Sequence, residues 1–158
     1  MKTRIPATLA KDFLRIYLPA LRKNAQVEIA GSLRRGSEEV GDIDLVVIPK
    51  DRRLFEEAVM KIEDTCLAWG EKKIRIETKE GIQIDFQMAT SETFESMMLY
   101  LTGSAKFNIM CRGIAKKQGM RLNEYGLFRG GKNVASSEEQ ILKILGLLEF
   151  LSPVKREL

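Results

Sequence analysis

Two short apolar segments each carry aspartate on one face, and they limit the possible folds more than any other feature. Residues 42–49, DIDLVVIP, predict a strand that ends at a proline. Because side chains alternate across a strand, Asp42 and Asp44 share one face while the apolar residues between and after them point to the other. Residues 81–89, GIQIDFQMA, repeat this alternation with Asp85 on the polar face. Together the segments predict neighbouring strands with one buried face and one face that carries carboxylates.

The rest of the hydrophobic pattern predicts an α+β chain, with mixed elements first and mostly helices later. Further strands are predicted at 27–31, at 72–78, and as a short pair around Gly126. The predicted helices cover residues 8–23, kinked or split at Pro19, and residues 52–70, 91–101, 104–118 and 137–146, the last capped by Ser136 or Ser137. At 158 residues, the chain can form one domain, or two small lobes that share a core.

The sequence contains no histidine, which excludes histidine-dependent nucleophilic catalysis and histidine-zinc sites. Three nearby carboxylates repel one another, so they must be protonated or must hold cations. Hard oxygen ligands favour Mg²⁺ or Mn²⁺ over zinc. The alternative is three solvated aspartates at strand edges. The two cysteines, Cys66 and Cys111, are expected to be separate buried thiols rather than a disulfide.

The segment before the first aspartate pair is typical of a phosphate-binding turn. Gly31-Ser32 ends a predicted strand and opens a helical turn capped by Ser32, and free backbone amides at such a turn bind anions. Arg34 and Arg35 follow with guanidinium groups suited to phosphate, and Gly41 allows close backbone approach. The turn and the aspartates together predict a binding site in which a triphosphate is held at one end by the turn and at the other end by bound metal.

Charge is divided unevenly along the chain. Residues 1–102 carry a net charge of −1, whereas residues 103–158 carry +5. A basic second half indicates a polyanionic partner, although a solvated basic surface would give the same count.

Several separated motifs resemble DNA polymerase family X, within the nucleotidyltransferase superfamily. They are GSLRRGSEEVGDIDLVV, IQIDF, the segment YLTGSAKFNIMCRGIAKKQGMRLNEYGLF, and the C-terminal SEEQILKILGLLEFLSPVKREL. The resemblance covers roughly residues 27–158. It implies a nucleotidyltransferase palm, a mixed β-sheet with helices, over residues 1–102 with its N-terminal helix. A small, mostly helical thumb follows over residues 103–158.

The resemblance also implies roles for individual residues. Asp42 and Asp44 would bind two Mg²⁺ ions, for which Mn²⁺ can substitute, and Asp85 would bind the catalytic metal at the primer 3′ hydroxyl. The residues implied to contact the incoming nucleotide are Gly31, Ser32, Arg35, Gly41, Tyr100, Gly103 and Asn108. Those implied to contact DNA or to belong to the mobile early thumb are Lys106, Arg112, Lys116, Lys117, Glu124 and Tyr125. Without histidine, proton removal would fall to Asp85 or a metal-bound water.

The sequence departs from the family pattern at several positions. Leu101 stands where phenylalanine usually follows the tyrosine of the sugar gate, which puts ribonucleotide discrimination in doubt. Gln87 replaces an arginine that often follows the third aspartate, and Ala105 replaces an aspartate near the base. About 26 residues precede the first palm strand, so the lyase and fingers regions of larger members are expected to be absent.

The function implied is DNA-directed addition of dNMP to a primer 3′ hydroxyl with release of pyrophosphate, in short gap filling during DNA repair. Its partners would be dNTP and primer-template or gapped DNA, and the chain is expected to be monomeric. Alternatives are a nucleotidyltransferase acting on tRNA, an antibiotic or a protein, a template-independent terminal transferase, and an inactive scaffold that binds DNA ends. No apolar run is long enough to span a membrane, and the N-terminus lacks a signal-peptide core, so an intracellular location is expected.

Overall fold

The computed structural model describes residues 3–158, and its strands form a central mixed sheet and two small antiparallel sheets. The strands are β1 (Ile5–Pro6), β2 (Ala25–Ala30), β3 (Glu39–Val40), β4 (Ile43–Pro49), β5 (Glu63–Trp69), β6 (Lys73–Thr78), β7 (Gln83–Met88), β8 (Arg121–Asn123), β9 (Gly126–Arg129) and β10 (Lys132–Asn133). The α-helices are α1 (Ala7–Arg22), α2 (Gly31–Arg34), α3 (Arg52–Ile62), α4 (Phe94–Thr102), α5 (Ala105–Lys117) and α6 (Glu138–Leu145). Two 3₁₀ helices follow, Leu148–Phe150 and Pro153–Arg156.

The central sheet has the strand order β2-β4-β7-β6-β5. Strands β4 and β7 are parallel, and the other neighbouring pairs are antiparallel. In the β4–β7 register, Asp44 lies opposite Asp85, and in the β2–β4 register Ala30 lies opposite Asp44. The mixed sheet and its helices confirm the predicted α+β class.

One face of the sheet forms the main hydrophobic core against α1 and α3. Ile43, Leu45 and Val47 of β4 are fully buried there, together with Ile84 and Phe86 of β7. Because these residues alternate with the aspartates, burying them places the carboxylates on the opposite face. This confirms the prediction, made from the alternation of apolar residues, of two neighbouring strands with one buried face.

A second core joins α5, α6 and the small sheet β8-β9-β10. Phe107, Cys111 and Ala115 of α5 pack with Leu142 of α6 and Leu127 of β9 in this cluster. The helical prediction for this half and the strand pair around Gly126 are confirmed, and β10 adds a third short strand that the sequence pattern did not indicate.

Helix α4 covers part of the carboxylate-bearing face and connects the two cores. Met97 and Met98 pack against Ala30 and Val46, whereas Leu99 packs in the second core. Pro19 does not split α1, which continues to Arg22.

The helix predicted at 52–70 is wrong over its second half. Helix α3 ends at Ile62, and Glu63–Trp69 forms the edge strand β5, hydrogen-bonded to β6. Thr65 and Trp69 are residue types that favour strands, but β5 is mostly exposed, so it lacks the alternating apolar pattern that marks a buried strand. Its exposure also corrects the expectation for Cys66, which is exposed, whereas Cys111 is buried; both thiols are free.

The predicted helix caps have opposite outcomes. Ser137 caps α6, because its hydroxyl accepts a hydrogen bond from the Gln140 amide at 3.1 Å. Ser32 is not a cap, since α2 begins at Gly31 and Ala30 occupies the capping position without a side-chain bond.

In the described part of the chain, no helix combines the length and apolarity needed to cross a membrane.

Candidate active site and adjoining groove

Three aspartates come together on the face of the central sheet opposite the main core. Asp44 on β4 and Asp85 on β7 are cross-strand neighbours, and Asp42 precedes Asp44 by two residues. One carboxylate oxygen from each residue lies within 4.8 Å of the other two. The predicted common face is therefore present, and we call these three residues the aspartate triad. Its oxygen-only donor set suits Mg²⁺ or Mn²⁺.

Cationic side chains from β6 lie directly beside the triad, and sequence reasoning did not identify them. Arg75 forms a fork on Asp85, with Nε 2.8 Å from Oδ1 and Nη2 3.1 Å from Oδ2. Gln83 donates a further hydrogen bond to Asp85 Oδ1 at 3.1 Å, and Lys73 Nζ lies 4.0 Å from Oδ2. The hydrogen bond to Asp85 and its charge raise the pKa of Arg75, and the charges of the other two aspartates add to this.

A signal for this arrangement was present in the sequence. Residues 72–78, KKIRIET, alternate cationic and apolar side chains, so Lys73 and Arg75 share one face of the predicted strand. The antiparallel register then sets Arg75 opposite Asp85. The sequence pattern did not give the order of the strands in the sheet, and that order decides which strand lies beside Asp85.

Gly31 is seated against the triad. Its backbone has φ of +67°, and a Cβ built there would overlap Oδ2 of Asp44. Glycine is therefore required both for the left-handed conformation and for the close approach of the turn to the carboxylate. Ser32 follows at the start of α2 and is half-buried. A Cβ at Gly41 would meet open space, so packing does not demand glycine there.

The arginine pair after this turn is bound to the C-terminal half of the chain. Arg35 Nε donates to Glu157 Oε2 at 2.6 Å, and Arg35 Nη1 donates to the carbonyl oxygen of Thr102 at 2.6 Å. Gly103 lies beside Arg35, since its Cβ would stand 3.2 Å from Nη1. The hydrogen bond from Arg35 lowers the pKa of Glu157. Two predicted nucleotide ligands, Arg35 and Gly103, are thus adjacent.

Arg34 is a structural residue rather than an open phosphate ligand. Its two terminal nitrogens each donate to Glu138 at 2.8 Å, and Nη1 also donates to Thr102 Oγ1 at 2.8 Å. Arg156 donates to the same carboxylate at 2.5 Å and is fully buried. Burial alone would raise the pKa of Glu138, but the bonds and charges of the two arginines outweigh it and leave that pKa below its ordinary value.

A groove runs from α4 along α5 to the turn between β9 and β10. Its three adjoining cavities share lining residues, and the two larger ones have volumes of about 550 and 620 Å³. The residues that line it include Tyr100, Asn108, Arg112, Lys116, Arg121, Asn123, Glu124, Gly130 and Gly131. Three of these are cations and one is acidic, so the groove favours an anionic occupant.

Some of the residues predicted to bind nucleotide or DNA line the groove, and others do not. Tyr100, Asn108, Arg112, Lys116 and Glu124 line it, and Asn108 Nδ2 donates to the carbonyl oxygen of Tyr100 at 2.7 Å. Lys106 and Lys117 are exposed on α5 but are not among the lining residues. Tyr125 is also outside them, and its ring lies 5.8 Å from Lys72 Nζ. The structure therefore does not bring these last three residues to the groove.

A mixed sheet that presents three aspartates beside a glycine-serine turn, with a helical lobe attached through α4, defines a nucleotidyltransferase. Comparison with protein families narrows the class. The DNA polymerase beta palm model matches residues 4–99, and the DNA polymerase beta thumb model matches residues 97–157. The chain therefore belongs to DNA polymerase family X and contains the palm and thumb of that family.

Individual relatives agree with this assignment. Repair DNA polymerase X of African swine fever virus is 30% identical over 159 positions, which cover 94% of this chain and 90% of the viral protein. DNA polymerase/3′-5′ exonuclease PolX of Bacillus subtilis is 32% identical over 102 residues, which cover 62% of this chain but 18% of that protein. DNA polymerase lambda of Rattus norvegicus is 24% identical, and the match covers 98% of this chain and 32% of that protein.

Proposed function

We propose that this family X member is a DNA-directed DNA polymerase that adds dNMP to a primer 3′ hydroxyl and releases pyrophosphate. The observation that carries the proposal is the aspartate triad, which the β4–β7 register assembles beside the glycine-serine turn. Short gap filling in repair is the proposed context, because one relative that aligns over most of its length is named a repair polymerase.

The triad residues fit a pair of divalent ions. Three carboxylate oxygens within 4.8 Å of one another are hard ligands, and Mg²⁺ is usually bound by a few carboxylates together with substrate phosphates. Asp42 and Asp44 would hold both ions, and Asp85 would hold the one at the primer terminus. When bound, such ions neutralise the triphosphate and promote in-line attack of the 3′ hydroxyl on the α-phosphorus. Mn²⁺ would substitute, since it accepts the same ligands.

The glycine-serine turn would hold the triphosphate next to these aspartates. Gly31 brings the turn into contact with Asp44, and Ser32 and Gly41 would contact the β- and γ-phosphates. Arg35 would contribute its guanidinium group to the phosphates after exchanging Glu157 for them. A triphosphate carries more negative charge than a single carboxylate, so the exchange is favourable once nucleotide is present.

The sugar and base would lie at the start of the groove. Tyr100 is 39% exposed at the end of α4, and Gly103 follows the last turn of that helix. Asn108 fixes the carbonyl oxygen of Tyr100 through its side-chain amide, so the two residues form one wall. Tyr100 would contact the ribose, and Asn108 would contact the minor-groove edge of the incoming base.

DNA would follow the groove across the thumb, which we place at residues 103–158. Arg112 and Lys116 line the groove and would contact phosphates there, and Glu124 would belong to the segment that adjusts as the site closes. Lys106, Lys117 and Tyr125 would contact the duplex outside the groove. The net charge of +5 over this segment supports a nucleic-acid partner.

A panel of substrates distinguishes the proposed polymerase from its alternatives. The protein is incubated with Mg²⁺ or Mn²⁺, dNTP, and labelled gapped, nicked, blunt or single-stranded DNA. The proposal requires addition of the templated nucleotide on gapped DNA. Untemplated addition to single strands would favour a terminal transferase, and binding to DNA ends without any addition would favour a scaffold. Transfer to tRNA, an antibiotic or a protein instead of DNA would favour another nucleotidyltransferase. Monomeric behaviour and an intracellular location complete the proposal.

A further inference from the structure

Arg75 has the geometry of a counter-cation for the aspartate triad. It reaches Asp85 from the neighbouring strand and occupies both carboxylate oxygens, at 2.8 and 3.1 Å. The Asp85 side chain is 11% exposed, and the Arg75 side chain is 35% exposed. A buried carboxylate without a cation would be costly, so this fork stabilises the metal-free site.

The same fork opposes metal binding. A divalent ion among the triad oxygens would lie close to a guanidinium that keeps its charge at any physiological pH. Arg75 can relieve this repulsion only by moving, because it cannot lose its proton. Its partial exposure gives the guanidinium a path toward solvent, whereas Asp85 is held in the sheet and by Gln83 at 3.1 Å.

We propose that Arg75 is a positioning residue that balances the triad in the metal-free protein and releases part of its fork on Asp85 when a divalent ion binds. Arg75 thereby sets the metal affinity of the site and keeps the Asp85 carboxylate oriented until the ion arrives. The inference rests on the proposed function, in which Asp85 is a metal ligand.

The test measures Mn²⁺ binding by the electron paramagnetic resonance signal of free Mn²⁺, without DNA or nucleotide. The variants are Arg75→Gln and Arg75→Lys, with Lys73→Gln as the matched control. Lys73 loses the same charge from the same face of β6, but it stands 4.0 Å from Asp85 and forms no fork. Asp85→Asn reports whether the ion measured is bound at the triad.

We expect Arg75→Gln to bind Mn²⁺ about ten-fold more tightly than wild type, because a unit charge near a divalent ion is removed even at a water-like dielectric. Arg75→Lys, which retains charge but not the fork, should bind about three-fold more tightly. Lys73→Gln should change affinity by less than about three-fold, because the Lys73 side chain is 42% exposed, so that water screens its charge, and its Nζ lies 4.0 Å from Asp85 Oδ2. Metal-free Arg75→Gln should melt below wild type, and Mn²⁺ should raise its melting temperature by more than it raises that of wild type.

Several results would overturn the inference. Unchanged or weaker Mn²⁺ affinity in Arg75→Gln would do so, as would an equal gain in Lys73→Gln. If Arg75→Gln does not fold, Arg75→Lys decides, and wild-type affinity there counts against the fork. Mn²⁺ binding in Asp85→Asn with the affinity and stoichiometry of wild type would contradict the proposed role of Asp85 as a metal ligand. Weaker binding or loss of one ion in Asp85→Asn, with no effect of Arg75→Gln, would contradict the role of Arg75 alone.

Discussion

Replacing Glu138 with glutamine should destabilise the protein strongly, because this carboxylate neutralises two arginines at the junction of palm and thumb. Arg156 is fully buried, the Arg34 side chain is 24% exposed, and both donate to Glu138. Removing one partner of a buried ion pair leaves an uncompensated charge and costs about 3–5 kcal/mol. In a protein of this size, each kcal/mol lowers the melting temperature by about 2–4 °C, which gives a fall of about 6–20 °C.

Thermal and urea unfolding followed by circular dichroism measure this loss, with Glu139→Gln as the matched control. Glu139 lies in the same helical turn but is exposed, so its replacement should change stability by less than about 0.5 kcal/mol. Because folding lowers the pKa of Glu138, its ionic contribution is present above the unfolded pKa of about 4.3 and disappears as pH falls through the folded value. The stability gap between wild type and Glu138→Gln should therefore narrow in acid below about pH 4. A loss of stability in Glu138→Gln no larger than that in Glu139→Gln at pH 7 would show that Glu138 does not stabilise the fold by neutralising Arg34 and Arg156.

Three further predictions concern the nucleotide and DNA sites. Gly31→Ala should lower single-nucleotide addition by about 100-fold or more while far-ultraviolet circular dichroism stays unchanged, because a Cβ would overlap a triad carboxylate; near-normal addition would contradict this contact. Lys116→Gln should reduce the slope of log affinity against log salt for gapped DNA by about one unit, whereas Lys143→Gln, an exposed lysine of α6 that does not line the groove, should leave it unchanged; equal effects would show that the groove is not the DNA path. Glu157→Gln should lower the KM for dNTP by a few-fold at unchanged kcat, since it frees Arg35 for phosphate; an unchanged or higher KM would show that the pair does not compete with nucleotide.

The strands that carry the triad could be predicted from the sequence because their pattern is local. Alternation over 42–49 and 81–89 fixed which residues are buried, and burying them fixed where Asp42, Asp44 and Asp85 point. Strand β5 could not be predicted, because a mostly exposed edge strand has no apolar face to reveal its period.

Contacts between residues that are far apart in the sequence could not be predicted from the local sequence pattern. The turn GSLRRG offered two arginines for phosphate, but nothing within the turn indicates that Arg34 binds Glu138, 104 residues away. Likewise, the pairing of Arg75 with Asp85 depends on β6 being the neighbour of β7, which periodicity does not determine. The groove depended on the packing of α5 against the small sheet, so Lys116 and Lys117 were indistinguishable in sequence.

Single-turnover addition of one nucleotide to gapped DNA by Asp85→Asn tests the catalytic role of the aspartate triad most directly. Asparagine keeps the volume of the side chain but removes the charge that would hold the metal at the primer terminus. Asp64→Asn is the control, because Asp64 is an exposed aspartate on β5, outside the triad. We expect Asp85→Asn to lower the rate of addition by at least about 1,000-fold, with an unchanged circular dichroism spectrum, and we expect Asp64→Asn to match wild type. Addition by Asp85→Asn within about ten-fold of wild type would show that Asp85 does not hold a catalytic metal.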